Sequence, residues 1–224
     1  QRTKMGTLAY SQFADSPVRV RHTVDHYLDL VHAAFPETKG SLDPSLQLPD
    51  DACAAAEKLL REARITAPFV IVHPGTARHE KYWLPERWAD VIGFLDAEFG
   101  LVSILTGSQD PKEREHLSRI KSALRCNYID VSGKTDLLGL AAVIKGARLV
   151  CGVDTAAIHL ADAMKTPSLV LFGPTNPYHW CPRHTRSVIL RARTRPPFTP
   201  QQKGGPMEDI SVTSVIEGVK ELLV

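Results

Sequence analysis

The sequence predicts an α/β protein built on a doubly wound parallel sheet. Two observations carry that expectation. From residue 68 onward, short apolar runs rich in β-branched residues alternate with amphipathic helical segments. That is the pattern of βαβ units whose sheet is covered on both faces. The apolar runs also stop at clusters of Gly, Ser, Thr, His or Asp, where the carboxyl ends of parallel strands open into a ligand crevice.

The elements follow in order. Residues 18–35 set Val24, Tyr27, Leu28 and Val31 at helical spacing. Residues 36–49 are rich in Pro, Gly, Ser and Asp and read as a linker. Asp50 and Asp51 can cap the helix "ACAAAEKLLREARI". "FVIVHPG" is a strand. "LPERWADVIGFLDAEFG" is a helix with Trp88, Val91, Ile92 and Leu95 on one face and Gly100 as its stop. "LVSILTGS" is the next strand. "PKEREHLSRIKSAL" reads as a charged surface helix with Pro111 near its start. "NYIDVSG" is a strand, and "TDLLGLAAVIKGA" a helix capped by Thr135 or Asp136. "RLVCGV" is a strand that stops at Asp154-Thr155. A short helix containing His159 follows, then the strand Ser168 to Phe172, which ends in Gly173-Pro174-Thr175. The last segment, "ISVTSVIEGVKELLV", reads as a capped helix. About five strands therefore lie between residues 69 and 172.

The whole chain narrows the function classes. Its 224 residues, 43% hydrophobic, suffice for one domain or one and a half. With 27 Lys and Arg against 25 Asp and Glu, no concentrated basic stripe marks a nucleic-acid partner. The cluster Arg191-Ala-Arg-Thr-Arg195 reads as a solvated loop, with contact to an anionic lipid or substrate left open. The four cysteines, Cys53, Cys126, Cys151 and Cys181, form no C-x-x-C pair, so neither zinc nor redox chemistry is expected, and Cys151 reads as a buried thiol. No apolar run approaches the ~20 residues of a membrane span, and no signal-peptide pattern is seen. The chain starts at Gln1, and its first residues hold no complete element pattern, so a processed or truncated chain is expected.

Several motifs fail on inspection. "SGKT" at 132–135 lacks the Gly a P-loop needs five residues before Gly133, where Tyr128 stands. No G-x-G-x-x-G and no G-x-S-x-G follows a strand. His22 and His26 stand four apart without the Glu of a zinc protease. The strand ends remain. If Asp154 or Thr155 caps its helix, the free amides of the first turn and the helix dipole form an anion site. Thr155 and His159 share a face. The histidine is either a donor to a phosphate or sugar oxygen or a residue packed under the sheet on a carbonyl. Asp154 would repel phosphate and suits a cap or an acceptor for sugar hydroxyls. Gly75 and Thr76 end a strand, and Lys81 lies in the following loop as either a diphosphate ligand or a surface lysine.

"HPGTARHEKYWLPERWADVI" and "VDTAAIHLADAMKTPSLVLFGPTNP" together resemble glycosyltransferase family 9, the ADP-heptose:lipopolysaccharide heptosyltransferases. The resemblance runs from about residue 20 to the end and implies a GT-B fold, two Rossmann-like domains facing a cleft. It implies a remnant of the N-terminal acceptor domain over 1–40, a linker and connecting helix over 41–67, a donor-binding domain over 68–210 and a terminal helix over 211–224. By motif match, Thr76 and Lys81 meet the diphosphate, and Gly75 belongs to the same donor site. Asp154 and Thr155 meet sugar and phosphate with His159 nearby, and Thr135 lies near the adenine. Gln109 falls near a family acidic residue that holds the ribose, but is an amide here. Ala156 replaces the family's Gly after Asp-Thr, and the tail lacks the cysteines many members carry.

The implied reaction is an inverting displacement of heptose from ADP-heptose onto a lipid-linked saccharide. It needs no cofactor and no metal, and would occur in the cytoplasm with peripheral contact at the inner membrane. The family's catalytic base is expected outside this chain, because none of Asp15, Asp25 and Asp29 matches it. Two other readings are a GT-B transferase or epimerase using another nucleotide sugar, and a non-catalytic nucleotide-sugar-binding module.

Overall fold

The computed structural model describes residues 14–38, 45–183, 186–193 and 196–224. Residues 1–13, part of the linker, and Arg195 of the basic cluster lie outside them. Eight α-helices and six strands are formed among the described residues. In chain order they are α1 (Thr23–Ala34), α2 (Asp50–Glu62), β1 (Phe69–His73), α3 (Pro85–Phe99), β2 (Val102–Leu105), α4 (Pro111–Ala123) and β3 (Tyr128–Asp130). Then come α5 (Leu137–Lys145), β4 (Leu149–Val153), α6 (Ala156–Ala163), β5 (Ser168–Phe172), α7 (Pro177–Trp180), β6 (Ser187–Arg191) and α8 (Val212–Leu223).

All neighbouring strands pair in parallel, in the order β3-β2-β1-β4-β5-β6. The chain starts at the centre, builds outward to β3, then returns to β4 and builds the other way. The switch point therefore falls between β1 and β4, where loops leave in opposite directions and open a crevice. Alternation along β1 feeds two cores. Val70 and Val72 face one layer with Trp88, Leu95, Ile120 and Val219. Phe69 and Ile71 face the other with Ala56, Ile144, Ile158 and Ala161. Period-2 burial on both faces is what a covered parallel sheet requires.

Helix ends explain the boundaries. Gly100 adopts φ 61°, the left-handed stop that ends α3. Asp136, not Thr135, caps α5, accepting from the Gly139 amide, and Ser211 caps α8 through the Ser214 amide. Asp50 and Asp51 do not cap α2. The cap position is Pro49, and both carboxylates sit in the first turn, where the helix dipole favours them.

Two further readings need correction. The helix α4 is not a plain surface helix, because Glu113, His116, Leu117 and Ile120 are buried. The basic cluster is not wholly a solvated loop: Arg191 ends the sixth strand, is buried, and bonds the side chain and carbonyl of Gln202. The strand β6 escaped the sequence reading because its apolar run is short and runs straight into arginines.

The helix α1 docks on the sheet domain through polar contacts. Arg183 pairs with Asp25 at 2.8 Å, His179 Nδ1 lies 2.7 Å from the Arg21 carbonyl, and the Tyr178 hydroxyl donates to the Val20 carbonyl. His22 Nδ1 accepts the Val24 amide while Nε2 reaches the Cys181 carbonyl at 3.0 Å. Both contacts need a neutral ring, with Nδ1 bare. Burial holds the His22 pKa below its ordinary 6.5. The docked state disfavours the proton, so docking is complete above about pH 6.5 and weakens as pH falls below it. Amide exchange of residues 23–34, corrected for intrinsic pH dependence, is expected to speed up between about pH 7.5 and pH 5. Equal protection at both pH values would contradict this role for His22. No residue of α1 is buried, and Tyr27, Leu30, Val31 and Phe35 beside it are exposed.

Candidate functional site

The site forms where β1 and β4 end side by side. His73 pairs in register with Gly152, so the loop 74–76 and the turn Asp154-Thr155 leave the sheet as neighbours. Between them stands Lys81, on a short 3-10 turn, His79–Lys81, rather than in an open loop. Its ammonium donates to the Asp154 carboxylate at 2.7 Å and to the Asp154 carbonyl at 3.0 Å. Lys81 is 9% exposed and Asp154 6%. A lysine this buried is unusual unless paired, and the surface-lysine alternative is thereby removed.

Thr155 occupies the cap position of α6 but its side chain makes no cap bond. Its hydroxyl thus stays free beside the first-turn amides. Thr155 and Thr76 line one cavity of about 630 Å³ together with His73, Ser108, Asp110 and Glu113, a size in the range of small-ligand sites. His159 does not pack under the sheet. It is exposed, makes no hydrogen bond among the described residues, and lines a second cavity with Tyr27 and Trp180. Desolvation holds its pKa below the ordinary value, against Asp154 and Asp162 and with Lys81. Ala156 opens α6 and is exposed.

The structure does not bring every sequence-read residue together. Gln109 is exposed, bonds the Gly133 carbonyl at 3.1 Å, and lines a separate polar cavity with Arg114, Lys121 and Asp130. Thr135 is half-buried just ahead of the α5 cap and lines neither cavity. Upstream, Asp25 and Asp29 are spent in pairs with Arg183 and Arg21, and Asp15 is exposed.

One residue at the crevice was missed. Glu113 is 5% exposed and supports the loops after β1 and β2. Its Oε2 accepts from the Ser108 hydroxyl, and its Oε1, without a hydrogen-bond partner, lies 3.9 Å from His73 Nε2. A methyl at Gly75 would overlap its carboxylate, and one at Gly107 would come within 2.9 Å of Oε1. The two glycines therefore make its room. Burial lowers the His73 pKa, with Glu113 opposing; the His73 Nδ1 meets the Thr106 hydroxyl at 2.9 Å. The signal was present in the sequence. Glu113 stands in the first turn after the cap Asp110, and in phase with Leu117 and Ile120, on the buried face of its helix.

Hydroxyls, helix amides and a buried cation converge at the switch point of a parallel sheet, the place where open α/β domains bind their ligands. Comparison gives the family. The model of glycosyltransferase family 9 (heptosyltransferase) matches residues 1–210, and the chain belongs to that family. Lipopolysaccharide heptosyltransferase 1 of Escherichia coli K12 is 29% identical over 153 residues, 68% of this chain and 46% of that protein. The Pseudomonas aeruginosa enzyme of the same name is 35% identical over 118 residues, 53% of this chain and 32% of its own length. Among solved structures, E. coli ADP-heptose lps heptosyltransferase II superposes with a TM-score of 0.78 at 20% identity, over 98% of this chain and 67% of that one. E. coli heptosyltransferase WaaC with ADP gives 0.69 at 24% identity, over 97% and 62%. The fold is that of the GT-B heptosyltransferases. The chain spans about half the length, or less, of the curated relatives it matches. Among the described residues, no helix is long and apolar enough to cross a membrane.

Proposed function

We propose that this chain is the donor-binding part of an enzyme that transfers heptose from ADP-heptose to a saccharide acceptor of lipopolysaccharide. The observation that carries the reading is the buried Lys81–Asp154 pair at the switch point, beside the free hydroxyls of Thr76 and Thr155. The diphosphate binds Lys81, Thr76, the Gly75 backbone and the first-turn amides of α6. To do so it competes with Asp154 for the ammonium. Asp154, released, accepts hydroxyls of the sugar, with His159 alongside. Thr135 and Gln109 lie on the nucleoside side.

In the displacement, the acceptor hydroxyl attacks the anomeric carbon and the ADP leaves with the bonding pair. The negative charge that builds on the leaving diphosphate is met by Lys81 and the helix amides. These groups supply the charge without a metal ion. A carboxylate outside this chain takes the acceptor proton. The setting is the cytoplasmic side of the inner membrane, approached peripherally through the acceptor.

Calorimetry with ADP, ADP-heptose, UDP and GDP tests this. Saturable binding of both adenine ligands is expected, at least about tenfold tighter than UDP or GDP, and unchanged by EDTA. Binding of UDP or GDP as tight as ADP would remove the adenine assignment. Affinity lost in EDTA would remove the metal-free mechanism.

A further inference from the structure

We propose that the cavity between α1, α6 and α7 receives one saccharide ring of the acceptor, laid against Tyr27 and Trp180. The inference rests on the donor-site reading above, because it puts that ring beside His159. The cavity measures about 250 Å³. At ~30 Å³ per liquid water it holds the equivalent of about eight waters, room for one ring and its substituents. The larger crevice, about 630 Å³, is the one of nucleotide size.

Its walls have the character a sugar ring needs. Trp83 and Trp88 are fully buried, whereas Trp180 is 41% exposed and Tyr27 58%. Both line this cavity, with Val24 and Cys181. Aromatic faces carry partial negative charge that attracts the polarised C–H bonds on the apolar face of a pyranose.

Most of the polar lining is already engaged. Both His22 nitrogens are used, Arg183 pairs with Asp25, and Asp162 accepts the Arg183 amide. His159 makes no hydrogen bond through its ring among the described residues. Its ring, held neutral, offers one donor and one acceptor, which is the complement of a hydroxyl. Thr155, one turn earlier at the cap of α6, lines the larger crevice while His159 lines this one, so His159 stands between the two. A ring held here lies one side chain from the sugar to be transferred. An acyl chain is the poorer fit, since the cavity is short and bordered by Asp162 and Arg183.

Iodide quenching reads this proposal directly, because Trp180 is exposed and the other two tryptophans are sealed. The probe is the oligosaccharide freed from lipopolysaccharide by deacylation. At saturation it is expected to cut the quenching constant of the wild-type chain about twofold or more, with or without ADP. In Trp180→Ala and Tyr27→Ala, oligosaccharide affinity is expected to fall about five- to tenfold, the scale of one aromatic contact. ADP affinity in both variants stays at the wild-type value, which also reports that they fold. Unchanged quenching, or unchanged oligosaccharide affinity in both variants, overturns the cavity assignment and leaves the donor reading standing. If wild-type chain fails to bind ADP, the donor reading falls, and the quenching result alone still decides for or against the cavity.

Discussion

Replacing Lys81 with Met is expected to cost both the fold and the ligand. The Asp154 carboxylate would stay buried with its cation gone, and breaking a buried pair from one side typically costs about 3–5 kcal/mol. For a domain of this length that corresponds to a melting temperature lower by about 10 °C. ADP affinity is expected to fall about a hundredfold or more, since a charge-assisted contact to phosphate disappears. Asp154→Ala should destabilise comparably by stranding the ammonium.

The informative variant is the double one. Lys81→Met with Asp154→Leu replaces both charges with apolar groups, and such swaps are often near neutral. Its stability should return to within about 1 kcal/mol of the wild type while ADP binding stays lost. Thermal unfolding and calorimetry on the four proteins separate the two effects. If the double variant is as unstable as the singles, the pair is not what holds this corner. If it binds ADP normally, Lys81 is not a donor ligand.

Gly75→Ala comes next in expected effect. The new methyl would occupy the space of the Glu113 carboxylate. Glu113 can make room only by giving up the Ser108 hydroxyl on Oε2 and swinging toward the cavity it lines. Either that bond breaks or the loop carrying Thr76 moves. Overpacking of this kind costs about 1–3 kcal/mol, and a displaced phosphate loop should weaken ADP by about tenfold or more. Adding Glu113→Ala reopens the space and should restore part of the stability. Wild-type ADP affinity in Gly75→Ala would show that Glu113 yields and that the loop is not held by it.

The alternation of apolar runs and helices is a local property, so five of the six strands and most helices were legible. Residues at strand ends were legible too, because topology alone sends them to one edge of the sheet. What was not legible is which of them meet. Asp154 and Lys81 looked like separate ligands, one for sugar and one for diphosphate, yet they bond each other across a sequence gap that no periodicity spans. Glu113 was hidden for the opposite reason. A carboxylate in a lysine- and arginine-rich helix resembles its solvated neighbours, and only its phase with Leu117 and Ile120 sets it apart. The strand β6 was lost to the arginines that follow it, although one of those, Arg191, is itself buried.

The switch point also has a kinetic meaning. The two strands whose ends make the crevice pair His73 with Gly152, residues about eighty positions apart, so their contact is among the costlier loops to close. The whole chain from β1 through β4 must therefore be made before Lys81 can find Asp154. During synthesis the first half of the domain emerges with its lysine unmatched. On the donor reading proposed above, ADP needs both strand ends at once, so it reports that they have met rather than templating their meeting.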